Sequence, residues 1–307
     1  EYGADIIFQI GTGYFGCRTK EGNFDTEKFR DIALHEVVKM IEIKISQGAK
    51  PGFGAILPAK KNTEEIAKFR VVEKGKQILS PPHHSAFGSD EEMIFFIDKL
   101  RKLSNGKPIG IKLCIGQKDE FDSMAQSLAK NQNYPDFIAI DGAEGGTGAA
   151  HMESLHWAGL PIVEAIHFAH STLVKHKIRD EIKLMAAGKI ISAFDIYRML
   201  ALGADACYSA RGMMFALGCV QSLKCNLDKC PTGITTMEPS RVKSLVVEDK
   251  KAKVANYHKN TMEAFKELLG SMGLENRKGI QKKYIVRRIN ETETKTYDEI
   301  FVNPSKE

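Results

Sequence analysis

Residues 137–148 read FIAIDGAEGGTG, a short apolar run that leads directly into a glycine-rich loop. Consecutive apolar positions are typical of a strand that is buried on both faces of a parallel sheet. The glycine loop, residues 142–148, has four glycines, so its backbone either takes positive φ angles or lets another group approach closely. It therefore shapes a ligand site at the end of a strand, or it is a flexible turn.

Strand and helix patterns alternate on both sides of this segment. Strands are predicted at residues 5–10, 39–45, 110–115, 137–140, 182–186 and 206–209, with a weaker one at 78–80. Helices are predicted at residues 26–34, 89–102, 120–129, 162–175 and 193–202. Strands that alternate with helices indicate βαβ units and a parallel sheet. About seven strands predict an α/β chain of the (β/α)8 TIM-barrel type that is one β/α unit short.

The composition is that of an ordinary globular protein, with 43% hydrophobic and 27% charged residues. The net charge of +5 is mild and the most basic stretch, residues 277–288, is short, so nucleic acid is not a predicted partner. No apolar run reaches the length of a membrane span. Six cysteines, three of them clustered, favour a reducing compartment over a disulfide framework, and the predicted location is cytoplasmic.

Three cysteines, Cys219, Cys225 and Cys230, are spaced six and five residues apart in what we term the cysteine segment, residues 219–230, which a proline follows. Iron–sulfur clusters require soft thiolate ligands, whereas structural zinc sites use close cysteine pairs and a fourth ligand. The spacing and the lack of an obvious fourth ligand favour a three-iron cluster over a four-iron one. The alternative is three free cysteines on a helix and its exit loop.

Several cationic positions indicate anion binding. Lys112 lies inside an apolar strand, and a buried lysine is costly unless it meets an anion; otherwise its stem extends to the rim. Two short loops, Gly188-Lys189 and Ala210-Arg211, follow the last two predicted strands and lead into helices. Because such barrels bind phosphate there, at helix N-termini, these four residues are predicted phosphate ligands, although Arg211 could instead be an exposed charge.

The segment GCVQSLKCNLDKCPTGITTMEP (residues 218–239) resembles the cluster loop of glutamate synthase, whose FMN domain carries a [3Fe–4S] centre on three cysteines. Other segments resemble that domain in the same order: IEIKISQGAKPGFGAILPAKK, SPPHHSAFGSDEEM, IGIKLC, DGAEGGTGAAHMESLHWAGLP and LALGADACYSARGMMFALGC. The likeness spans about residues 6–239 and is to stand-alone, FMN-binding members of the family that lack the glutaminase domain. It implies FMN and a [3Fe–4S] cluster on Cys219, Cys225 and Cys230.

The resemblance also implies which barrel unit is missing. In glutamate synthases a first strand and a Gly-Glu-Gly-Gly loop precede the segment that corresponds to Asp5. We therefore expect a barrel without its first β/α unit over residues 1–239, followed by a C-terminal helical extension and polar tail over residues 240–307. The extension is amphipathic as far as residue 273 and should pack outside the barrel, and the tail from residue 290 is expected to fray.

Residue by residue, the resemblance implies a substrate site and a flavin site. Lys50 and Arg70 match the positions that hold the two carboxylates of 2-oxoglutarate, although Arg70 could instead be a surface residue of a helix. Glu144 is the third catalytic candidate. The FMN-binding candidates are Gln47, Lys112, Asp141, Gly142, Gly145, Gly146, Thr147, Gly188, Lys189, Ala210 and Arg211.

One position departs from the family. Ile56 stands where glutamate synthases have a glutamine on the substrate, and an apolar side chain cannot make that hydrogen bond. The substrate is then bound differently, or it is another compound. His83 and His84 lie on a loop that the family places near the substrate channel, and a structural role is favoured over proton transfer.

The resemblance implies that reduced FMN transfers a hydride to 2-iminoglutarate, formed from 2-oxoglutarate and ammonia, and yields glutamate. Electrons would arrive through the cluster from ferredoxin or an NAD(P)H-dependent partner subunit, because the chain has no NAD(P) fingerprint. Ammonia would come from elsewhere, for example from an amidotransferase partner. Two alternatives stay open: a subunit of a methylamine–glutamate N-methyltransferase, and a non-catalytic electron-transfer or assembly module.

Overall fold

The computed structural model describes residues 3–50, 54–150, 153–154 and 157–302. Its strands are β1 (Ile6–Ile10), β2 (Val38–Lys44), β3 (Ile56–Leu57), β4 (Ile78–Leu79), β5 (Ile109–Leu113), β6 (Phe137–Asp141), β7 (Lys183–Ala187), β8 (Ala206–Tyr208), β9 (Val286–Arg288) and β10 (Thr294–Thr296). Its helices are α1 (Thr26–Ala33), α2 (Glu64–Arg70), α3 (Asp90–Leu103), α4 (Lys118–Asn131), α5 (Ile162–Lys175), α6 (Ala193–Ala201), α7 (Ala210–Leu217), α8 (Pro239–Val242), α9 (Val247–Ser271) and α10 (Tyr297–Ile300). Short 3-10 turns lie at Ala59–Lys61, Thr147–Ala149, Cys225–Leu227, Arg277–Gly279 and Lys282–Tyr284.

Six strands form one parallel sheet in the order β1-β2-β5-β6-β7-β8, and a helix lies in every crossing between neighbours. The sheet is curled. Tyr208 on β8 donates a hydrogen bond to Glu42 on β2 at 3.0 Å, although three strands lie between them. In a flat sheet these strands would be about 19 Å apart. The predicted α/β fold of the barrel type, with fewer than eight strands, is therefore confirmed.

The weak strand predicted at residues 78–80 lies outside this sheet. As β4 it pairs antiparallel with β3, and the two form a separate two-stranded ladder. The parallel sheet thus has six strands rather than about seven. Both β3 and β4 belong to the long connection between β2 and β5, which also contains α2 and α3.

The core follows from the apolar strands. Every residue of β6 is buried, as are Ile41 and Ile43 on β2 and Ile109 and Ile111 on β5. Helices α3 and α4 cover the outer face of the sheet with side chains such as Ile97 and Leu128. Because helices cover this face, the strand residues that point towards it are apolar.

The C-terminal extension packs against helices of the barrel through α9. Helix α9 lies against α6 and α7, buries Phe265 and Leu269, and brings the Tyr257 hydroxyl within 3.4 Å of Ser209 Oγ. In the described part of the chain no helix, α9 included, combines the length and apolar content needed to cross a bilayer.

The expectation that the tail frays from residue 290 is wrong for its described part. Tyr297 and Phe301 are buried in the main core, and the Thr296 and Glu299 side chains form a capping box that begins α10. Two aromatic side chains spaced by four residues hold this short helix on the barrel because they lie on the same helix face.

Candidate functional site

Lys112 and Asp141 meet at the carboxyl ends of neighbouring strands. The Lys112 Nζ lies 3.6 Å from Asp141 Oδ2, and Asp141 is only 4% exposed. The same carboxylate oxygen accepts the backbone N–H of Gly48 at 3.1 Å. Asp141 therefore offsets part of the cost of burying Lys112 and joins β5, β6 and the turn after β2.

The glycine loop packs tightly on the turn that follows β2. Gln47 Nε2 donates to the Gly146 carbonyl at 2.8 Å, and the Ala49 N–H donates to the Gly145 carbonyl at 2.8 Å. Gly146 has a φ of +69°, and a Cβ on Gly48 would overlap the Gly142 carbonyl. These contacts favour an ordered wall of the site over a flexible turn.

Glu144, a predicted catalytic residue, binds the start of α5. Its two carboxylate oxygens accept the Ile162 N–H at 3.0 and 3.2 Å, and burial raises the pKa of the carboxyl group. Because α5 has no side-chain cap at Pro161, Glu144 takes the place of a cap from a distant loop. This contact anchors the glycine loop to α5, and a catalytic role for Glu144 stays a prediction.

Lys50 and Arg70 line one cavity of about 310 Å³, which we call the cation cavity. Lys50 is 7% exposed, and Arg70, the last residue of α2, places its guanidinium carbon 4.4 Å from the centre of the Phe15 ring. Burial lowers the pKa of both side chains. The two predicted carboxylate ligands are thus brought together, whereas residues 51–53, which follow Lys50, lie outside the described residues.

Lys44 also lines the cation cavity, and the sequence reasoning did not single it out. It lies beside Lys112 in the register of β2 and β5, and its Nζ donates to Gln47 Oε1 at 2.8 Å. Burial, followed by the charges of Lys112 and Lys50, lowers the pKa of Lys44 to about 8. The sequence does contain evidence for Lys44, because this residue, like Lys112, stands inside an apolar strand.

Ile56 is not among the residues that line the cation cavity. It pairs with Leu79 in the β3–β4 ladder, and 40% of its surface is exposed. His84, by contrast, is buried: its Nε2 lies 2.9 Å from the Lys44 carbonyl and its Nδ1 3.2 Å from the Tyr14 hydroxyl. Since a carbonyl only accepts, Nε2 carries the proton, and these contacts fit the structural role predicted for His84.

The predicted phosphate ligands lie at the ends of β7 and β8. Gly188 has a φ of +127° and approaches the Gly142 backbone. Helix α7 begins at Ala210 with no side-chain cap, because the Ser209 hydroxyl donates to the Ile190 carbonyl at 2.8 Å instead. The first N–H groups of α7 are therefore not capped by Ser209. The side chain of Arg211, in the same turn, reaches Thr147 Oγ1 at 2.6 Å.

The cysteine segment runs beside the glycine loop, and all three of its thiols are free. Lys61 Nζ donates to the Cys225 carbonyl at 2.7 Å. Burial acts to raise the pKa of Cys230, but hydrogen bonds involving Thr232 and Thr235 outweigh it and lower this pKa to about 6. Among the described residues, no three His, Cys, Asp or Glu side chains converge as ligands for a metal ion, so the three sulfurs do not form such a group.

A sequence model of the family described as "Conserved region in glutamate synthase" matches residues 1–275. The chain belongs to the glutamate synthase family. It is 40% identical over 286 residues to the glutamate synthase large subunit-like protein YerD of Bacillus subtilis, covering 93% of this chain and 54% of that protein. It is 37% identical to archaeal glutamate synthase [NADPH] of Methanocaldococcus jannaschii, covering 89% and 50%. The chain thus spans about half the length of these relatives.

Solved structures with a similar backbone include two mutants of flavocytochrome b2. The one with benzoylformate has a TM-score of 0.52 at 13% identity, covering 97% of this chain and 60% of that chain. The one with pyruvate bound has a TM-score of 0.51 at 12% identity, covering 98% and 61%. At such low identity the likeness concerns the fold alone.

Proposed function

We propose that this chain is the synthase portion of a glutamate synthase-type oxidoreductase, which forms L-glutamate from 2-oxoglutarate and ammonia. The single observation that carries the proposal is the pairing of Lys50 and Arg70 in one cavity, which Gln47 also lines and from which Gln47 contacts the glycine loop. When bound, FMN would supply the hydride for 2-iminoglutarate and a [3Fe–4S] cluster would supply its electrons.

The cation cavity suits a short dicarboxylate. Arg70 offers a planar fork that binds one carboxylate bidentately, and its stacking on Phe15 holds that fork in place. Lys50 binds the second carboxylate as a compact charge, and Lys44 adds a third cation to the same wall. Partial exclusion of water strengthens the attraction between these cations and an anion. Burial lowers the pKa of both Lys50 and Arg70, so a bound carboxylate would stabilise the charged form of each side chain.

The carboxyl ends of the strands fit a flavin phosphate and ring. The start of α7, which Ser209 does not cap, offers N–H groups to a phosphate, with Gly188 and Lys189 beside it. Lys112 stands where it can stabilise negative charge on a bound flavin, held in place by Asp141. Gln47, Ala210 and the glycine loop, with Gly142, Gly145, Gly146 and Thr147, would complete the binding surface.

The cysteine segment fits a cluster in its donor chemistry. It presents three soft sulfur ligands as free thiols, and the lowered pKa of Cys230 favours the thiolate that binds iron. A cluster is larger than a single ion, so its ligands need not converge on one point. Cys219, Cys225 and Cys230 would hold it, next to the glycine loop.

The remaining parts of the reaction would come from partners. An electron donor, either ferredoxin or an NAD(P)H-dependent subunit, would reduce the cluster, and an ammonia source or amidotransferase would supply the amine. The cytoplasm, with its reducing conditions, suits both free thiols and a cluster. Ile56 gives no support to an N-methyltransferase, because it does not line the cation cavity.

The test is to purify the protein anaerobically, record its visible spectrum, and assay iron and acid-labile sulfide. We expect flavin bands and about three iron atoms per chain. Glutamate should then form from 2-oxoglutarate, ammonia and an artificial reductant. A protein that takes up no FMN, or product made only from methylamine and glutamate, would overturn the proposal.

A further inference from the structure

The Arg211 guanidinium joins the glycine loop to the cysteine segment. One of its terminal nitrogens, Nη2, donates to Thr147 Oγ1 at 2.6 Å, and the other, Nη1, donates to Cys219 Sγ at 4.0 Å. Arg211 belongs to the first turn of α7, so its backbone is fixed by the helix. A planar guanidinium can direct two N–H groups to two partners at once, which an ammonium on a flexible stem does less well.

The positive charge of Arg211 is not balanced by a carboxylate in the described part of the chain. Within the described residues, no Asp or Glu oxygen lies within ion-pair distance of its guanidinium, although the side chain is half-buried. Five other arginines have such a partner: Arg101, Arg179, Arg198, Arg241 and Arg287. Besides the Thr147 hydroxyl and the Cys219 thiol, the guanidinium has the Phe215 ring 6.0 Å away, and none of these three partners carries a formal negative charge to balance it.

A second cysteine meets the glycine loop one residue further on. The turns Thr147–Ala149 and Cys225–Leu227 pack against each other, and a Cβ on Gly148 would lie 3.1 Å from Cys225 Sγ. Arg211 thus links Cys219 to Thr147, and Cys225 approaches the adjacent Gly148 from the same segment.

We propose that Arg211 is a positioning residue for the iron–sulfur centre: it fixes the Cys219 sulfur against Thr147, and its positive charge raises the reduction potential of the cluster. The inference rests on the proposed function. It assigns Arg211 to the cluster rather than to the FMN phosphate, for which the sequence made it a candidate.

The direction of the effect follows from electrostatics. Adding an electron makes the cluster and its thiolates more negative, and a fixed positive charge beside a ligand sulfur stabilises that state. Hydrogen bonds to the sulfurs and local net charge are known levers on such potentials. Removal of the Arg211 charge should therefore lower the reduction potential of the cluster. If Arg211 instead bound the FMN phosphate, its removal would change FMN affinity and leave the reduction potential unchanged.

The experiment is a redox titration of the cluster followed by EPR in the anaerobically purified protein. We expect Arg211→Gln to lower the reduction potential by about 59 mV or more, a tenfold change in the reduction equilibrium. Arg211→Lys keeps the charge but loses the fork, so its potential should lie between that of Arg211→Gln and that of the wild type. Lys224→Gln is the matched control: it removes one exposed charge from the same segment and should shift the potential much less.

The outcomes separate this inference from the proposed function. A wild-type protein without iron would overturn both. A cluster whose potential is the same in the wild type and in both Arg211 variants, or FMN affinity as the only property that changes, would overturn the role of Arg211 and leave the proposed function standing. If Arg211→Gln fails to retain iron, the Arg211→Lys titration decides, since an unshifted potential there contradicts the positioning role.

Discussion

The cation cavity and the cysteine segment are built in different ways. Two of the three cations of the cavity stand on regular elements, Lys44 on β2 and Arg70 at the end of α2, whose start is capped by Thr63, while Lys50 lies in the turn after β2. The cysteine segment has only one short 3-10 turn and is held by single contacts, such as Lys61 to the Cys225 carbonyl. Regular elements therefore hold two of the cavity's cations, while the cysteine segment is held by scattered contacts with its neighbours.

This difference has a consequence for mutation. A substitution of Lys44 or Arg70 should change ligand affinity on an unchanged scaffold, because a strand and a helix carry these side chains. A substitution of a cysteine should change whether the cofactor is present at all, because metal binding and local folding are coupled. Four substitutions, taken in decreasing order of predicted effect, test that contrast.

The largest effect is expected for Cys225→Ser. Loss of one of three thiolate ligands should remove the cluster absorbance and the bound iron, while the far-UV circular dichroism spectrum stays that of the wild type. The scaffold should survive because Cys225 is only half-buried and sits outside the core. Cys207→Ser on β8 is the control and should keep its iron. Cluster absorbance that persists in Cys225→Ser would show that the ligand assignment is wrong.

The next effect concerns the cavity. Arg70→Ala should raise the KM for 2-oxoglutarate by about 100-fold, equivalent to about 2.7 kcal/mol, because a bidentate carboxylate partner is lost. Lys68→Ala, an exposed neighbour on α2, should leave KM within about twofold of the wild-type value. Equal KM values for the two variants would remove Arg70 from the substrate site. Iron content should be unaffected in both, which sharpens the contrast with Cys225.

The close packing of the glycine loop on the turn after β2 can be tested at Gly48. Gly48→Ala should lower the free energy of unfolding by about 2–3 kcal/mol, because the added Cβ overlaps the Gly142 carbonyl. Gly270→Ala in α9 is the matched control: its Cβ would meet no atom within 4 Å, and alanine should stabilise the helix by about 0.5–1 kcal/mol. Urea denaturation measures both. Similar stability losses would mean that the close packing of the loop is not what requires glycine.

The fold and the site differ in how far the sequence predicts them. Alternation of apolar strands with helices was enough for the parallel sheet, because each βαβ unit is a local pattern. The pairing of β3 with β4 was not predictable, since antiparallel partners more than twenty residues apart leave no periodic signal. Tyr297 and Phe301 were missed because their surroundings are polar, and only the folded chain shows what they pack against.

The side chains of the site also differ in how far the sequence predicts their roles. Lys50 and Arg70 are twenty residues apart, and the expectation that they act together came from family resemblance rather than from spacing. Lys44 could have been found, since the argument made for Lys112 applies to it unchanged. The contact of Arg211 with Thr147 could not, because it depends on where the segments after β6 and β8 meet.

The smallest expected effect tests the free-energy cost of burying Lys44 near the other two cations of the cavity. Lys44→Met should raise the free energy of unfolding by about 1 kcal/mol near neutral pH, because it removes a buried ammonium that faces Lys112 and Lys50, while Gln47 loses a partner. The gain should depend on pH. With a pKa near 8 when folded and a higher one when unfolded, Lys44 binds fewer protons in the folded state between these values. Above pH 8 the free energy of unfolding of the wild type should therefore increase and approach that of Lys44→Met. Thermal denaturation at several pH values measures this, and a pH-independent difference like that of the exposed Lys60→Met control would contradict the buried charge.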